Sequence, residues 1–234
     1  MAMSLLEIVQ RTAKRLSLPV PTAAFSSTDP TWMQGVEILQ DLGEELAQID
    51  WGVLATVKAI TISALNFHSE ALPADWSNLR DDARIFRNIT FQPLIGPLIA
   101  SEWEQLTLYG NGFIPGAWRL ANKAIQIYGV AAAEIVTLEY ASTYWIVDLN
   151  GVNPKAAWTA DTDMPRIPDA LLRLGLQWKW KRAKGFDYSE EKDTFEKQME
   201  VYIANDRGLR TIQTARVMRG SDLADNTWPG VVIP

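Results

Sequence analysis

The sequence predicts an α+β fold: a helical bundle formed by the N- and C-terminal helices, an inserted antiparallel β domain, and an extended C-terminal arm. Helix start signals and apolar residues at helical spacing occur in residues 1–50 and again in 165–208. β-Branched residues with roughly alternating hydrophobicity occupy residues 51–164. Residues 209–234 lack apolar periodicity, which is typical of an arm that becomes ordered on a partner. These four ranges are the predicted domain organisation.

Two helices are predicted in residues 1–50. Ser4 and Glu7 have the spacing of a capping box, in which each side chain binds the backbone N–H of the other residue. Asp29 followed by Pro30 predicts the start of a second helix, because aspartate caps free N–H groups and proline suits the first turn. Apolar residues at helical spacing follow both signals.

The inserted domain is predicted to consist mainly of strands and hairpins, with the strongest strand at residues 134–147. Asn150-Gly151 predicts the turn of one hairpin. Residues 121–123 predict the turn of another. One or two helical turns are expected at residues 100–106. The remaining predicted extended segments are 53–65, 84–87, 89–91, 118–120, 124–128 and 156–159.

Two further helices are predicted after residue 165. Pro168 marks the start of the first, and Gly185 is a natural stop because glycine adopts the left-handed backbone that ends helices. Asp187 and Glu190 again have capping-box-like spacing, so they predict the start of the last helix. That helix is expected to end at about residues 206–208.

Composition excludes several classes of chemistry. The 234 residues contain no cysteine, which removes thiol nucleophiles, thiolate metal sites and disulfides. The 28 acidic and 22 basic residues give a formal charge of −6, which argues against sequence-independent binding of nucleic acid. The first helix is not expected to be a signal peptide, and no apolar run in the sequence is long enough to be expected to cross a membrane. No cofactor is predicted.

Residues able to perform catalysis form no recognisable constellation, so the chain is not expected to be an enzyme. His68 is the single histidine and is interpreted as a solvated loop residue. Asp161 and Asp163 alternate as in cation-binding loops, but the glycine and late glutamate of such a loop are missing. The two aspartates are the one acidic pair worth testing for a cell-wall hydrolase.

The ten tryptophans are interpreted as core anchors, with subunit interfaces as the alternative. Near the end of the first C-terminal helix, tryptophans alternate with basic residues. A solvated or subunit-facing stripe, paired with Glu190, Glu191 or a neighbour's acidic groups, is favoured over a DNA contact. The predicted subunit-interface residues are Trp178, Trp180, Lys181 and Arg182, with Lys179 and Lys184 beside them.

Several short segments occur in an order that resembles a known family. They are 43–46, Trp51, 72–76, Trp103, 137–145, 155–163, 167–172, 176–180 and 182–185. This order extends over about residues 28–208 and resembles the phage head-to-tail adaptor proteins, also called head completion or tail tubular A-type proteins. That family has no catalytic motif that could be transferred to this chain.

The resemblance implies a virion protein that is made in the host cytoplasm and forms a ring, usually dodecameric, beneath the portal protein. The opposite side of such a ring receives the tail nozzle or stopper protein, and genomic DNA passes through without specific binding. The C-terminal arm often reaches the portal, and here its apolar end is expected to make that contact. The residues concerned are Trp228, Val231, Val232 and Ile233. The acidic balance of the chain suits a DNA conduit, because acidic walls repel phosphates.

Three alternatives remain open from the sequence. Another virion ring protein, such as a stopper or tail terminator, would share the lack of catalytic residues. A virion-associated hydrolase would require an acidic pair in a cleft. A free carbohydrate-binding β module would explain the tryptophans but not the helices at both ends of the chain.

Overall fold

A computed structural model describes residues 3–64, 67–80, 83–109 and 116–206. The predicted α+β class is confirmed, since helices and antiparallel sheets both occur. The helices are α1 (Leu5–Arg15), α2 (Pro30–Ala47), α3 (Ala100–Tyr109), α4 (Asp169–Ala183) and α5 (Ser189–Asp206), with a 3₁₀ turn at Gly52–Leu54. The strands are β1 (Ala55–Thr61), β2 (His68–Ala71), β3 (Trp76–Leu79), β4 (Ile85–Arg87), β5 (Ala117–Ala121), β6 (Ala124–Tyr128), β7 (Ile135–Ser142), β8 (Ile146–Val147), β9 (Pro154–Lys155) and β10 (Met164–Pro165).

Both predicted N-terminal helix starts are confirmed. The Ser4 hydroxyl accepts the backbone N–H of Glu7 at 3.3 Å, and the Glu7 carboxylate accepts the N–H of Ser4 at 3.0 Å. The Asp29 carboxylate accepts the N–H of Thr31 at 2.8 Å, with Pro30 as the first residue of α2. These bonds satisfy N–H groups that have no partner inside the helix.

Helices α1, α2, α4 and α5 share one hydrophobic core, which joins the two ends of the chain. Three tryptophans from between α2 and α4 lie in this core, namely Trp51, Trp145 and Trp158. The rings of Trp145 and Trp158 meet edge to face, with their centroids 5.1 Å apart. A third sheet has the strand order β10–β8–β9. Ile146 of β8 and the preceding Trp145 belong to the same core, so this sheet packs with the helices.

The other two sheets enclose a second core. In the first sheet, the long strand β7 pairs with three strands, namely β1, β3 and β4. The second sheet has the order β2–β6–β5. Its β5–β6 hairpin has Asn122 and Lys123 at its turn, both in the left-handed region at φ +53° and +57°, as tight hairpins favour. The second core consists of Ile60, Ile62, Ile85, Leu94, Trp118, Ile125, Ile127, Val130, Val136 and Leu138.

A β-hairpin at residues 85–94 connects the first two sheets. The Arg87 N–H donates to the Gln92 carbonyl at 3.0 Å, and the Leu94 N–H donates to the Ile85 carbonyl at 2.8 Å. Ile95 then pairs in parallel with Ala117 of the second sheet. Residues 89–91, predicted to be extended, lie at the turn of this hairpin, so that prediction is wrong.

Two other strand predictions also differ from the structure. The predicted strand 134–147 is interrupted between β7 and β8, because the Ser142 hydroxyl accepts the Tyr144 N–H at 3.1 Å and the Thr143 N–H donates to the Asp75 carbonyl at 2.7 Å. Such local bonds compete with a strand ladder. The second strand of the predicted hairpin at Asn150-Gly151 is β9 and not residues 156–159.

Candidate interaction surfaces

The two tryptophans predicted to face another subunit pack against their own chain. Trp178 is half-buried, and its ring centroid lies 6.1 Å from that of Phe195 on α5. Trp180 is buried and stacks on Phe186 at 6.2 Å. Both rings therefore hold α4 against the turn and helix that follow it, and their role in a subunit interface stays a prediction.

The basic residues of the same stretch are largely paired within the chain. Lys181 forms an ion pair with Glu191, the intrachain pairing that the sequence favoured. Lys179 lies 2.6 Å from a carboxylate oxygen of Glu45, and Lys184 donates to the Gln34 side chain at 2.7 Å. Arg182 is exposed, and its guanidinium contacts no acidic group among the described residues. Little unpaired positive charge is left here for a DNA contact.

Asp161 and Asp163 hold loops together. The Asp163 carboxylate accepts from Lys155 at 2.7 Å, from the Thr159 N–H at 2.8 Å and from the Ala160 N–H at 3.0 Å. Burial of Asp163 opposes its ionisation, but these hydrogen bonds outweigh burial and hold its pKa below the usual aspartate value. A general acid needs the opposite shift. Asp161 instead accepts the N–H groups of residues 24 and 25.

His68 is buried, so its interpretation as a solvated loop residue is wrong. It is the first residue of β2, and its register opposite Ile127 of β6 turns it toward the interior. Its Nδ1 accepts the Ser63 N–H at 3.2 Å and lies 2.9 Å from the Ser63 hydroxyl. A carboxylate oxygen of Glu70 lies 3.9 Å from Nε2. Within the described ranges, no three His, Asp or Glu side chains form a group that could hold a metal ion.

Large apolar side chains are exposed on and after the 85–94 hairpin. Phe91 is 79% exposed and Ile89 is 72% exposed at its turn, and Ile99 is exposed shortly after it. Contiguous exposed apolar groups mark protein interaction surfaces. The sequence reasoning missed this surface. The available signal is that residues 88–101 contain no Asp, Glu, Lys or Arg.

The described part of the chain ends at Asp206, beside a pocket of about 310 Å³. The Asp206 carboxylate accepts the Gly52 N–H at 2.5 Å, and Trp51 and Tyr202 line the pocket.

The predicted arm, including Trp228, Val231, Val232 and Ile233, lies outside the described residues. No helix in the described ranges combines the length and the apolar character needed to cross a bilayer.

Large apolar side chains exposed at a hairpin turn are typical of a protein that works by binding other chains. A comparison with protein families agrees with this class. Residues 3–225 match the model of the SU10 adaptor protein family, and the chain therefore belongs to this family of phage adaptor proteins. It is thus a structural component of a phage virion. No curated protein matches the chain.

Proposed function

We propose that the chain is a head-to-tail adaptor that closes into a ring, dodecameric as the resemblance implies, between the portal and the tail. The ring would bind the portal protein on one side and the nozzle or stopper protein on the other, and it would form part of the DNA conduit for ejection. Membership of the adaptor family supports this proposal. The cell-wall hydrolase has no such support.

The observation that carries the proposal is the conformation of Phe91. Its backbone is in the left-handed region at φ +55°, where a bulky residue is disfavoured, and its ring is 79% exposed. Glycine or asparagine would suit this turn better, and the exposed ring contributes little to the folding of one subunit. The presence of a residue that lowers the stability of the free subunit is explained if another chain covers its ring in the assembled particle.

Replacing Phe91 by asparagine should therefore leave the subunit as stable as the wild type or up to about 1 kcal/mol more stable, while abolishing ring formation. Thermal unfolding measures the first effect, and negative-stain imaging with sedimentation measures the second. Met33→Asn is the matched control, because Met33 is also large, apolar and exposed but lies on α2. Rings of F91N as abundant as those of M33N would contradict the proposal. Wild-type rings with the symmetry of a tail tube would favour a tail terminator.

The C-terminal arm is proposed to attach the ring to the portal. Its apolar end, from Trp228 to Ile233, suits docking as a strand or in a groove, and many copies acting together strengthen attachment. A chain ending at residue 208 should remain folded, because the described helices and sheets end at Asp206, and should still form rings. We expect it to lose binding to heads that bear the portal, measured by co-sedimentation. Normal binding by the truncated chain would overturn this role.

A further inference from the structure

Donor side chains line up on the facing sides of α1 and α4. Arg11 and Arg15 are four residues apart on α1, and Arg173, Gln177 and Lys181 follow the same spacing on α4, so each set shares one helix face. The two helices pack on each other. Burial and the nearby charges of Arg15 and Arg11 lower the pKa of Arg173, which places the three guanidinium groups close together.

Two of these side chains have a buried nitrogen with no acceptor among the described residues. The Gln177 side chain is only 5% exposed, and its Nε2 has no hydrogen-bond partner in the described part of the chain. The Nε of Arg173 is also buried without an acceptor. Neither Arg11 nor Arg15 forms an ion pair with any described residue. Buried donors without acceptors are rare in proteins because each costs free energy, so they point to a ligand that supplies the acceptor.

Arg15, Gln177 and Lys181 line a pocket of about 310 Å³ that opens between α1, α4 and α5. Among the residues that the structure describes, Lys181 has an acidic partner, Glu191 of α5, and Arg15 has none. Four positive side chains, Arg11, Arg15, Arg173 and Lys181, lie at or beside this pocket, against three negative ones, Asp169, Glu190 and Glu191, so an excess of one positive charge remains. The repulsion between like charges held close together is reduced when an anion binds among them.

We propose that this pocket and the adjoining faces of α1 and α4 bind an acidic segment of another protein chain. Its carboxylates would accept from Arg15 and Gln177 in the pocket and from Arg11 and Arg173 beside it. The row on α4 is about 12 Å long, the span of about four residues of an extended peptide. Leu16 and Leu174 line the same pocket and suit the apolar stems of such a peptide. Glu190 and Glu191 of α5 also border the pocket. They would repel the continuous charge of a nucleic acid backbone, whereas the separate carboxylates of a peptide can bind on the α1 side, away from them. The proposal holds for the free subunit and does not depend on ring formation.

The test measures binding to the full-length protein by fluorescence anisotropy. The probes are a labelled peptide in which Glu alternates with Ala, the same peptide with Gln in place of Glu, and labelled duplex DNA. We expect the Glu peptide to bind more tightly than the other two probes. The R11Q/R15Q variant should bind the Glu peptide about tenfold more weakly, since charge-assisted hydrogen bonds are lost. The control K123Q/K197Q removes the same charge from exposed lysines elsewhere and should bind like the wild type.

A second variant, Gln177→Met, separates binding from folding. Because Nε2 has no hydrogen-bond partner among the described residues, its removal should leave the melting temperature unchanged or raise it, yet weaken peptide binding about fivefold. Equal binding of the Glu and Gln peptides would overturn the proposal, and so would equal binding by R11Q/R15Q and its control. Tighter binding of DNA, lost in R11Q/R15Q, would assign the site to nucleic acid and also overturn the proposal.

Discussion

Replacing Gly43 by alanine is expected to lower the free energy of unfolding by about 3 kcal/mol or more, at the upper end of the usual cost of overpacking a core. A Cβ atom on Gly43 would lie 2.0 to 2.5 Å from three ring atoms of Trp145. Trp145 is fully buried and packs against Trp158, so its ring cannot move aside without displacing the helical core. Urea unfolding followed by circular dichroism measures the loss.

Gly35 is the matched control, since it lies on the same helix two turns earlier. A Cβ atom there would meet only Trp32, at an ordinary contact distance of 3.8 Å. Gly35→Ala should therefore stabilise the protein by about 0.5 to 1 kcal/mol, the helix propensity gained on replacing glycine. Equal effects of the two substitutions would contradict the proposed contact between α2 and Trp145.

The helices were predictable from sequence because their signals are local. Ser4 with Glu7, and Asp29 with Pro30, specify helix starts through bonds within one turn of chain. The close approach of Gly43 to Trp145 was not predictable. It depends on a tertiary contact between residues a hundred positions apart, and a glycine inside a helix gives no sign of what packs on it.

The first and last residues of the strands were harder to predict from sequence, because they depend on which other segments each strand pairs with. The segment 134–147 has the composition of one long strand, yet bonds to Asp75 and within 142–145 divide it. The polar neighbours of His68 predict a solvated loop. The pairing of β2 with β6, which no local pattern announces, buries it.

The candidate interaction surfaces, too, were predictable where the signal is local and not where it depends on tertiary contacts. The sequence predicts Trp178 and Trp180 at a subunit interface, and both rings pack on their own chain in the structure. A tryptophan in the sequence does not show whether it packs on its own chain or on another, so the interface role stays a prediction. The row of Arg173, Gln177 and Lys181 is visible as helical spacing. The lack of an acceptor for Arg173 Nε and Gln177 Nε2 among the described residues depends on tertiary packing, which helical spacing does not reveal.

Replacing Arg87 by methionine is expected to lower the free energy of unfolding by about 3 to 5 kcal/mol, the cost of leaving a buried charge without its partner. Glu134 is 2% exposed, and its two carboxylate oxygens accept from Nε and a terminal nitrogen of Arg87 at 2.8 and 2.6 Å. A methionine fills part of the space but donates no hydrogen bond. The double variant R87M/E134M should recover most of the loss, because apolar pairs often replace buried ion pairs without penalty.

The pH dependence of this loss gives a second readout. Hydrogen bonds from Arg87 outweigh burial and hold the pKa of Glu134 below its usual value, so in the wild type the pair stabilises at neutral pH and this stabilisation is lost as pH falls through the lowered pKa. In R87M burial acts alone and raises the pKa of Glu134, so acid protonates and neutralises the unpaired carboxylate. The difference in stability between wild type and R87M should therefore be largest near neutral pH. It should shrink as the pH falls through the raised pKa of Glu134 in R87M and should be smallest below the lowered pKa of Glu134 in the wild type. A difference that stays constant with pH would show that Arg87 stabilises the protein through packing and not through Glu134.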